Sequence, residues 1–333
     1  MDKNMVAQVL ETLKDVRSAK VLCLGDLMLD RYIYGHAARL SPEAPVPVVV
    51  VKRKTYMPGG LGNVVMNLKS LGADPLAAGL VGRDQAAKLL ADLLSGALDP
   101  ASPPLLEDEQ RPTTVKTRVL AGIQQVVRFD EESESPLSPE TEEKYRQSVS
   151  ELLPRCGAVA ASDYGKGVLT PSFCAWLLEE AEKMNVPVIV DPKGSDYGRY
   201  RNAFLVTPNR QELAQAVGED VAGASTERLV AAGRKLMDRC RLKNLLITRS
   251  EDGMTLLSSA GGVSHFPAKA QEVFDVSGAG DTVVAAMAAA LACGRSLEAG
   301  AGLATLAAAV VVGKVGTAVA APEEIEEAAR PVD

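Results

Sequence analysis

Asp275-Val276-Ser277-Gly278-Ala279-Gly280-Asp281 opens a long apolar run, Thr282 to Cys293, and delivers a carboxylate at its mouth. The Ala/Val-rich run predicts a buried helix. Backbone N–H groups at a helix N-terminus have no intrahelical partners and carry the positive end of the dipole. A glycine-lined start lets a phosphate approach them closely. An anion cradle beside an aspartate points to phosphoryl transfer: the carboxylate takes a proton from an attacking hydroxyl while the N–H groups stabilise charge on the transferred group. Taken alone, Gly278-Ala279-Gly280 also fits a glycine-rich turn before a core helix, so the surrounding chain has to decide.

Upstream, short buried-strand patterns recur at Lys20 to Leu24, Ala158 to Ala161, Val186 to Val190, Phe204 to Thr207 and Asn244 to Thr248. Helical patterns separate them at Asn63 to Leu71, Gln85 to Leu94, Pro139 to Leu153, Pro171 to Met184, Arg210 to Val217 and Thr226 to Arg239. This alternation predicts an α/β fold with a mostly parallel sheet covered on both faces. Ligands collect at the carboxyl ends of such strands. The polar clusters Asp26/Asp30, Asp163/Lys166, Asp191/Lys193 and Asn209/Glu212 all follow predicted strands, as one shared site requires.

Two segments break the alternation. Pro45 to Tyr56 is β-branched and basic, and Thr113 to Phe129 reads as two alternating strands around Ala121-Gly122, with Lys116 and Arg118 on one face. They fit a small sheet lying over the site as a lid that excludes water, or equally an ordinary edge hairpin with solvated charges. The expected architecture is one domain over residues 1–333, with lid segments near 31–57 and 112–130. An open lid sheet leaves edges to cover, and pairing of two lids in a homodimer would cover them. Asp99 to Arg111 and Glu131 to Pro139 read as surface loops.

Composition bounds the function. With 333 residues and 47% apolar content, the chain can bury a large core without disulfides. A net charge of -7 argues against a general nucleic-acid or anionic-membrane surface. The five cysteines are scattered, without a C-x-x-C pair, which predicts a reducing cytoplasm rather than a disulfide framework or thiolate metal site. The two histidines, His36 and His265, lie in no metal-binding pattern, disfavouring zinc hydrolysis and Ser-His-Asp chemistry. Met1 to Arg17 reads as an amphipathic helix rather than a signal peptide. The apolar stretches Thr282 to Gly294 and Gly302 to Gly313 are too short to span a bilayer. Gly60-Leu61-Gly62 is not completed as G-x-G-x-x-G, and no G-x-x-x-x-G-K-[ST] sequence is present, which disfavours a nicotinamide-binding dehydrogenase and a P-loop kinase.

Together these motifs resemble the ribokinase-like, or PfkB, carbohydrate kinases over nearly the whole chain. The early signature is Gly25-Asp26-Leu27-Met28-Leu29-Asp30 followed by Pro58-Gly59-Gly60-Leu61-Gly62-Asn63, and the late one is Asp275 to Asp281. Within the family the wording is most similar to that of the D-glycero-β-D-manno-heptose 7-phosphate kinases, including the kinase half of the bifunctional heptose enzymes. It stands in Leu40-Ser41-Pro42-Glu43-Ala44-Pro45-Val46-Pro47, Ser162-Asp163-Tyr164-Gly165-Lys166-Gly167, Asp191-Pro192-Lys193-Gly194 and Thr248-Arg249-Ser250-Glu251-Asp252-Gly253-Met254. The resemblance implies a three-layer sandwich with a β-sheet lid, in a kinase that phosphorylates the anomeric hydroxyl of heptose 7-phosphate for ADP-heptose and lipopolysaccharide synthesis. Fructose 6-phosphate, fructose 1-phosphate and ribose are rival acceptors, and a silent nucleotide- or sugar-binding module is the rival of another class.

By the same resemblance Asp281 is the base, and Gly278, Ala279 and Gly280 form the anion hole. Asp30, Gly59, Gly60 and Asn63 belong to the sugar site. Asn209 and Glu212 serve ATP phosphates and Mg²⁺, Glu212 through water, although Asn209 equally suits a helix cap. Thr248, Arg249 and Gly253 resemble a nucleotide-side loop, with Arg249 also readable as a surface residue. A potassium requirement stays open. Lys116, Arg118, Arg128 and Lys193 are candidates for the sugar's own phosphate, since gathered cations suit it, though each also fits a solvated face. Gly62 and Ser277 depart slightly from the family's usual alanine and threonine. No His-x-Gly-His motif of a nucleotidyltransferase occurs, so adenylylation is expected in another protein.

Overall fold

In the computed structural model, which describes residues 3–100, 102–269 and 273–330, the alternating pattern builds a nine-stranded sheet ordered β13-β12-β11-β10-β9-β8-β1-β4-β5. Its parallel part is β1 (Lys20–Gly25), β4 (Asp74–Gly82), β5 (Leu106–Asp108), β8 (Ala158–Ser162), β9 (Val188–Asp191), β10 (Leu205–Val206) and β11 (Asn244–Thr248). The strands β12 (Met254–Ser258) and β13 (Val263–Phe266) continue it antiparallel. Side chains of β1 alternate between two cores, Val21 and Cys23 facing one and Leu22 and Leu24 the other. The first core packs against α1 (Lys3–Asp15), α2 (Leu61–Ser70), α3 (Gln85–Leu94), α8 (Ala279–Ala292), α9 (Leu297–Val312) and α10 (Pro322–Ala329). The second packs against α4 (Pro139–Leu152), α5 (Pro171–Lys183), α6 (Arg210–Val217) and α7 (Thr226–Cys240). The helix read from Met1 is described from Lys3 onward, and Met1 and Asp2 lie outside the described residues.

The irregular segments form a second sheet, ordered β3-β2-β6-β7. It comprises β2 (Leu27–Leu40), β3 (Pro47–Gly60), β6 (Thr114–Ala121) and β7 (Gln124–Glu131). β2 pairs antiparallel with β3 and parallel with β6. Asp30, read as following the first strand, lies in a strand of its own, β2, opposite Lys116 in the register. The Leu40 to Pro47 motif makes the turn at the far end of the β2–β3 hairpin, where Leu40 and Val46 are exposed. Gly60 adopts φ +55°, ends β3 and starts α2. A Cβ there would press on the Asp26 carbonyl at 2.6 Å, so the chain reverses from lid to helix through a position that only glycine fits.

Candidate active site

The carboxyl ends of β1, β8, β9 and β11 converge on the N-terminus of α8, where Asp281 is buried. Asn63 Nδ2 donates to Asp281 Oδ2 at 2.8 Å, and the Tyr164 hydroxyl donates to Oδ1 at 2.9 Å. Burial pushes this carboxyl up from 3.8 to about 7; the two donors pull it down and the Asp30 charge adds to the rise. A base that titrates near neutrality suits proton abstraction from a hydroxyl.

Asn63 was expected among the sugar ligands. Its side chain is instead buried and engaged on both ends, its Nδ2 on Asp281 and its Oδ1 accepting from Asn67 Nδ2 at 3.2 Å. Thr282 Oγ1 donates to Asn67 Oδ1 at 3.0 Å, completing a polar chain that locks α2 to α8. Such a network also fixes the orientation of both amides.

In the expected anion hole, Gly278 has φ +79° and caps α8. The Ala279 N–H is already taken by the Val276 carbonyl at 3.2 Å, while Gly280 and Asp281 precede the first helical bond, from Thr282 N to Gly278 O at 3.0 Å. The amides left open at this helix start are therefore those of Gly280 and Asp281, while that of Ala279 is engaged.

On the lid side, the Asp30 carboxylate is buried and ion-paired to Arg118, whose guanidinium also lies 5.2 Å from the Tyr32 ring centre. Gly59 leaves room for the Asp30 carboxylate, which a Cβ would strike. Lys116 Nζ lies 3.0 Å from Asp130 and 2.9 Å from Glu132, and Arg128 Nη2 lies 2.7 Å from Asp130. These two cations hold the Asp130 carboxyl well below its ordinary range. Lys166, from the loop after β8, shares Glu132 at 2.7 Å. Three of the four expected phosphate-binding cations thus gather on the lid, each already facing a lid carboxylate.

Lys193 stands apart. It lines a cavity of about 160 Å³ with Asp163, Tyr164, Asp191, Thr207, Asn209, Glu212, Thr248 and Gly280, and its Nζ is 3.8 Å from Glu212 Oε1. Burial, then the charges of Asp281 and Glu212, push the Asp191 carboxyl well above its ordinary range. Asn209 and Glu212 form a capping box on α6: Asn209 Oδ1 accepts from Glu212 N, and Glu212 Oε2 accepts from Asn209 N, both at 2.9 Å. The cap and the site position coexist, because Glu212 Oε1 remains on the cavity side with Lys193.

A larger adjoining cavity, about 600 Å³ and mostly apolar, is lined by Thr248, Gly253, Met254, Val276, Ala279, Gly280, Thr305 and Val312 among others. Arg249 takes another place: its guanidinium donates to Thr226 Oγ1 and the Asp252 carbonyl, both at 2.9 Å, and so braces the loop.

Reading the sequence overlooked Tyr164 as a site residue, although its motif was quoted, because nothing in Ser162 to Gly167 says which side chain turns inward. Asp26 was placed in the shared polar cluster but given no individual contact. Its Oδ2 accepts from the N–H groups of Tyr164 at 2.7 Å and Lys166 at 3.0 Å, so it folds the loop that carries Tyr164.

A parallel-sheet sandwich with a β lid, an aspartate at a glycine-capped helix start and adjoining polar and apolar cavities is the frame of a ribokinase-like sugar kinase. The chain belongs to the pfkB family of carbohydrate kinases, whose profile it matches over residues 18–324. It is 48% identical over 322 residues to Bifunctional protein HldE of Paramagnetospirillum magneticum, covering 96% of this chain and 65% of that protein. With Bifunctional protein HldE of Proteus mirabilis the identity is 47% over 320 residues, again 96% of this chain and 65% of the relative. The chain thus spans just under two thirds of the length of these curated relatives. Among solved structures, Arabidopsis thaliana ribokinase complexed with ribose and ATP shares the fold at TM-score 0.73 and 20% identity, covering 95% of this chain and 99% of that one. Escherichia coli phosphofructokinase-2 with substrates and products does so at TM-score 0.77 and 19% identity, covering 94% and 98%.

Proposed function

We propose that the chain transfers the γ-phosphoryl group of ATP to the anomeric C1 hydroxyl of D-glycero-β-D-manno-heptose 7-phosphate, giving heptose 1,7-bisphosphate for ADP-heptose synthesis. The observation that carries the chemistry is the buried Asp281 carboxylate, held by Asn63 and Tyr164 beside the start of α8. Asp281 accepts the C1 proton as the oxygen attacks phosphorus, and the amides at the head of α8 balance charge on the transferred group. Asp30, on the lid face, holds sugar hydroxyls, with the backbone approach that Gly59 and Gly60 allow. The cations Lys116, Arg118 and Arg128 supply the site for the sugar's own phosphate by exchanging lid carboxylates for phosphate oxygens.

The two cavities divide ATP between them. The apolar one, with Thr248 and Gly253, suits the base and ribose, and the polar one, with Asn209, Glu212 and Lys193, suits the phosphates. The hard carboxylate oxygen of Glu212 fits Mg²⁺ held through water, and that ion, when bound, would supply charge neutralisation on the phosphates. ATP in the ribokinase complex and potassium in a phosphofructokinase-2 complex support nucleotide use and a monovalent-cation site.

The heptose acceptor rests on the heptose-kinase wording of the sequence and on relatives named Bifunctional protein HldE. The lid carries exposed Leu40, Val46, Val50, Val127 and Phe129, which favours a homodimer through that sheet. No helix among the described residues is long and apolar enough to cross a membrane, and a cytoplasmic place accords with the free cysteines.

ADP release with Mg-ATP across heptose 7-phosphate, fructose 6-phosphate, fructose 1-phosphate, ribose and no sugar tests this function. Selective turnover of heptose 7-phosphate is the expected result. Selective turnover of another sugar would discard the acceptor, and nucleotide binding without turnover of any sugar would discard the kinase reading.

A further inference from the structure

We propose that Tyr164 is the positioning residue of the catalytic base: its hydroxyl orients the buried Asp281 carboxylate and favours its ionised form, and the Asp26 carboxylate fixes the loop that delivers it. The inference rests on Asp281 as base and adds what makes that base usable. A carboxylate removed from water is disfavoured unless donors replace the lost solvent. Asp281 has two such donors, one per oxygen, Tyr164 on Oδ1 and Asn63 on Oδ2. A carboxylate offers about four lone-pair directions, so each oxygen keeps one for an incoming hydroxyl.

Asn63 comes from a regular helix, whereas Tyr164 comes from a loop whose geometry has to be imposed. Asp26 Oδ2 accepts from Tyr164 N and Lys166 N, and Asp163 Oδ1 accepts from Gly165 N at 2.7 Å. Asp163 is in turn held by the Tyr200 hydroxyl at 2.5 Å and by Arg199 at 3.3 Å. Three successive N–H groups thus rest on two buried carboxylates. The ring of Tyr164 lies beside the lid turn, where a Cβ on Gly60 would be 3.4 Å from its Cδ2. Tyr164 therefore touches the sugar-side turn and the base together.

The phenol is suited to permanent donation. Burial and the charges of Asp281, Asp191 and Asp30 push its own proton loss well above the ordinary 10.0. The remaining charged groups around the pair are accounted for. Asp30 is paired with Arg118, while Asp191 faces Thr207, with Lys193 and Glu212 beyond it. Deleting the Tyr164 hydroxyl thus changes one donor and no formal charge.

The test follows the Asp281 carboxyl by ¹³C NMR titration of the full, unliganded chain, alongside the pH profile of kcat. Tyr164→Phe keeps the ring and is expected to move the Asp281 midpoint upward by about one pH unit, the size of one hydrogen bond to a charged group. The acid limb of kcat should follow, with the KM for ATP unchanged. Replacing Tyr164 by 3-fluorotyrosine, a stronger donor of nearly the same shape, should move the midpoint the other way. An unmoved midpoint in both proteins would overturn the proposal. Asp281→Asn separates the two readings: near-normal turnover there would overturn the base assignment even if Tyr164 governed the titration.

Discussion

Gly278 stands against the hydrogen bond between Asn63 and Asp281: a Cβ built on it would lie 2.5 Å from Asn63 Nδ2, the atom that donates to the aspartate. The helix start is thus glycine for two reasons, its φ of +79° and the closeness of the amide that holds Asp281.

Gly278→Ala should therefore damage catalysis more than folding. The left-handed backbone costs about 1–3 kcal/mol of stability, seen as a modest fall in unfolding temperature. Displacement of Asn63 disturbs Asp281, the proposed base, and turnover should fall about a hundredfold, as for a misplaced catalytic group. Turnover within a few-fold of wild type would show that the Asn63 contact is dispensable.

The buried Asp281 carboxyl should also leave a mark on stability. The Asp281 carboxyl is raised from 3.8 to about 7, chiefly by burial, so between these values the folded chain keeps a proton that the unfolded chain has released. Stability from this group is complete below about pH 4 and is lost as pH rises through about 7. Asp26, raised to about 6 by burial and by Asp163, steepens the same decline. Asp281→Asn removes the first contribution and should exceed wild type at pH 8 by on the order of 2–4 kcal/mol, with little difference at pH 4. Urea unfolding at both pH values measures this. Equal stability at pH 8 would mean that Asn63 and Tyr164 fully offset the burial.

The place of Lys193 separates two proposed roles, contact with the nucleotide's phosphates or with the sugar's own. Sequence grouped it with Lys116, Arg118 and Arg128, but its half-exposed side chain lies beside Glu212 in the Asn209 cavity. Lys193→Met should raise the KM for ATP about tenfold, the worth of one charge-assisted contact, and leave the KM for the sugar phosphate near wild type. The opposite pattern in steady-state kinetics would return Lys193 to the sugar's phosphate.

The core strands and most helices were legible because buried β-branched runs and amphipathic helices have distinct periods. Gln85–Leu94 and Arg210–Val217 fall where the pattern put them. β4 escaped because Pro75, Gly79 and Gly82 interrupt its run, although a partner on each side supports the strand. α9 was seen as an apolar stretch without a helical stripe, since nearly all of its faces are buried. Asp30 was assigned to the sugar site but not to a strand, because β2 continues almost directly from β1 through Asp26. At the site, the glycine-capped aspartate was legible as a motif. The roles of Tyr164 and Asp26 were not, since they depend on a loop closed by contacts 138 residues apart in the chain.

Glu132 is held by Lys116 of the lid strand at 2.9 Å and by Lys166 at 2.7 Å, two residues beyond Tyr164. A lid that swings away to release product must either break this bridge or pull on the segment that steadies the base. On the proposed roles, uncovering the sugar and disarming Asp281 would then become one event, and an open enzyme would also be a poor catalyst of wasteful ATP hydrolysis. Because the bridge is electrostatic and only partly shielded from solvent, added salt should loosen that coupling.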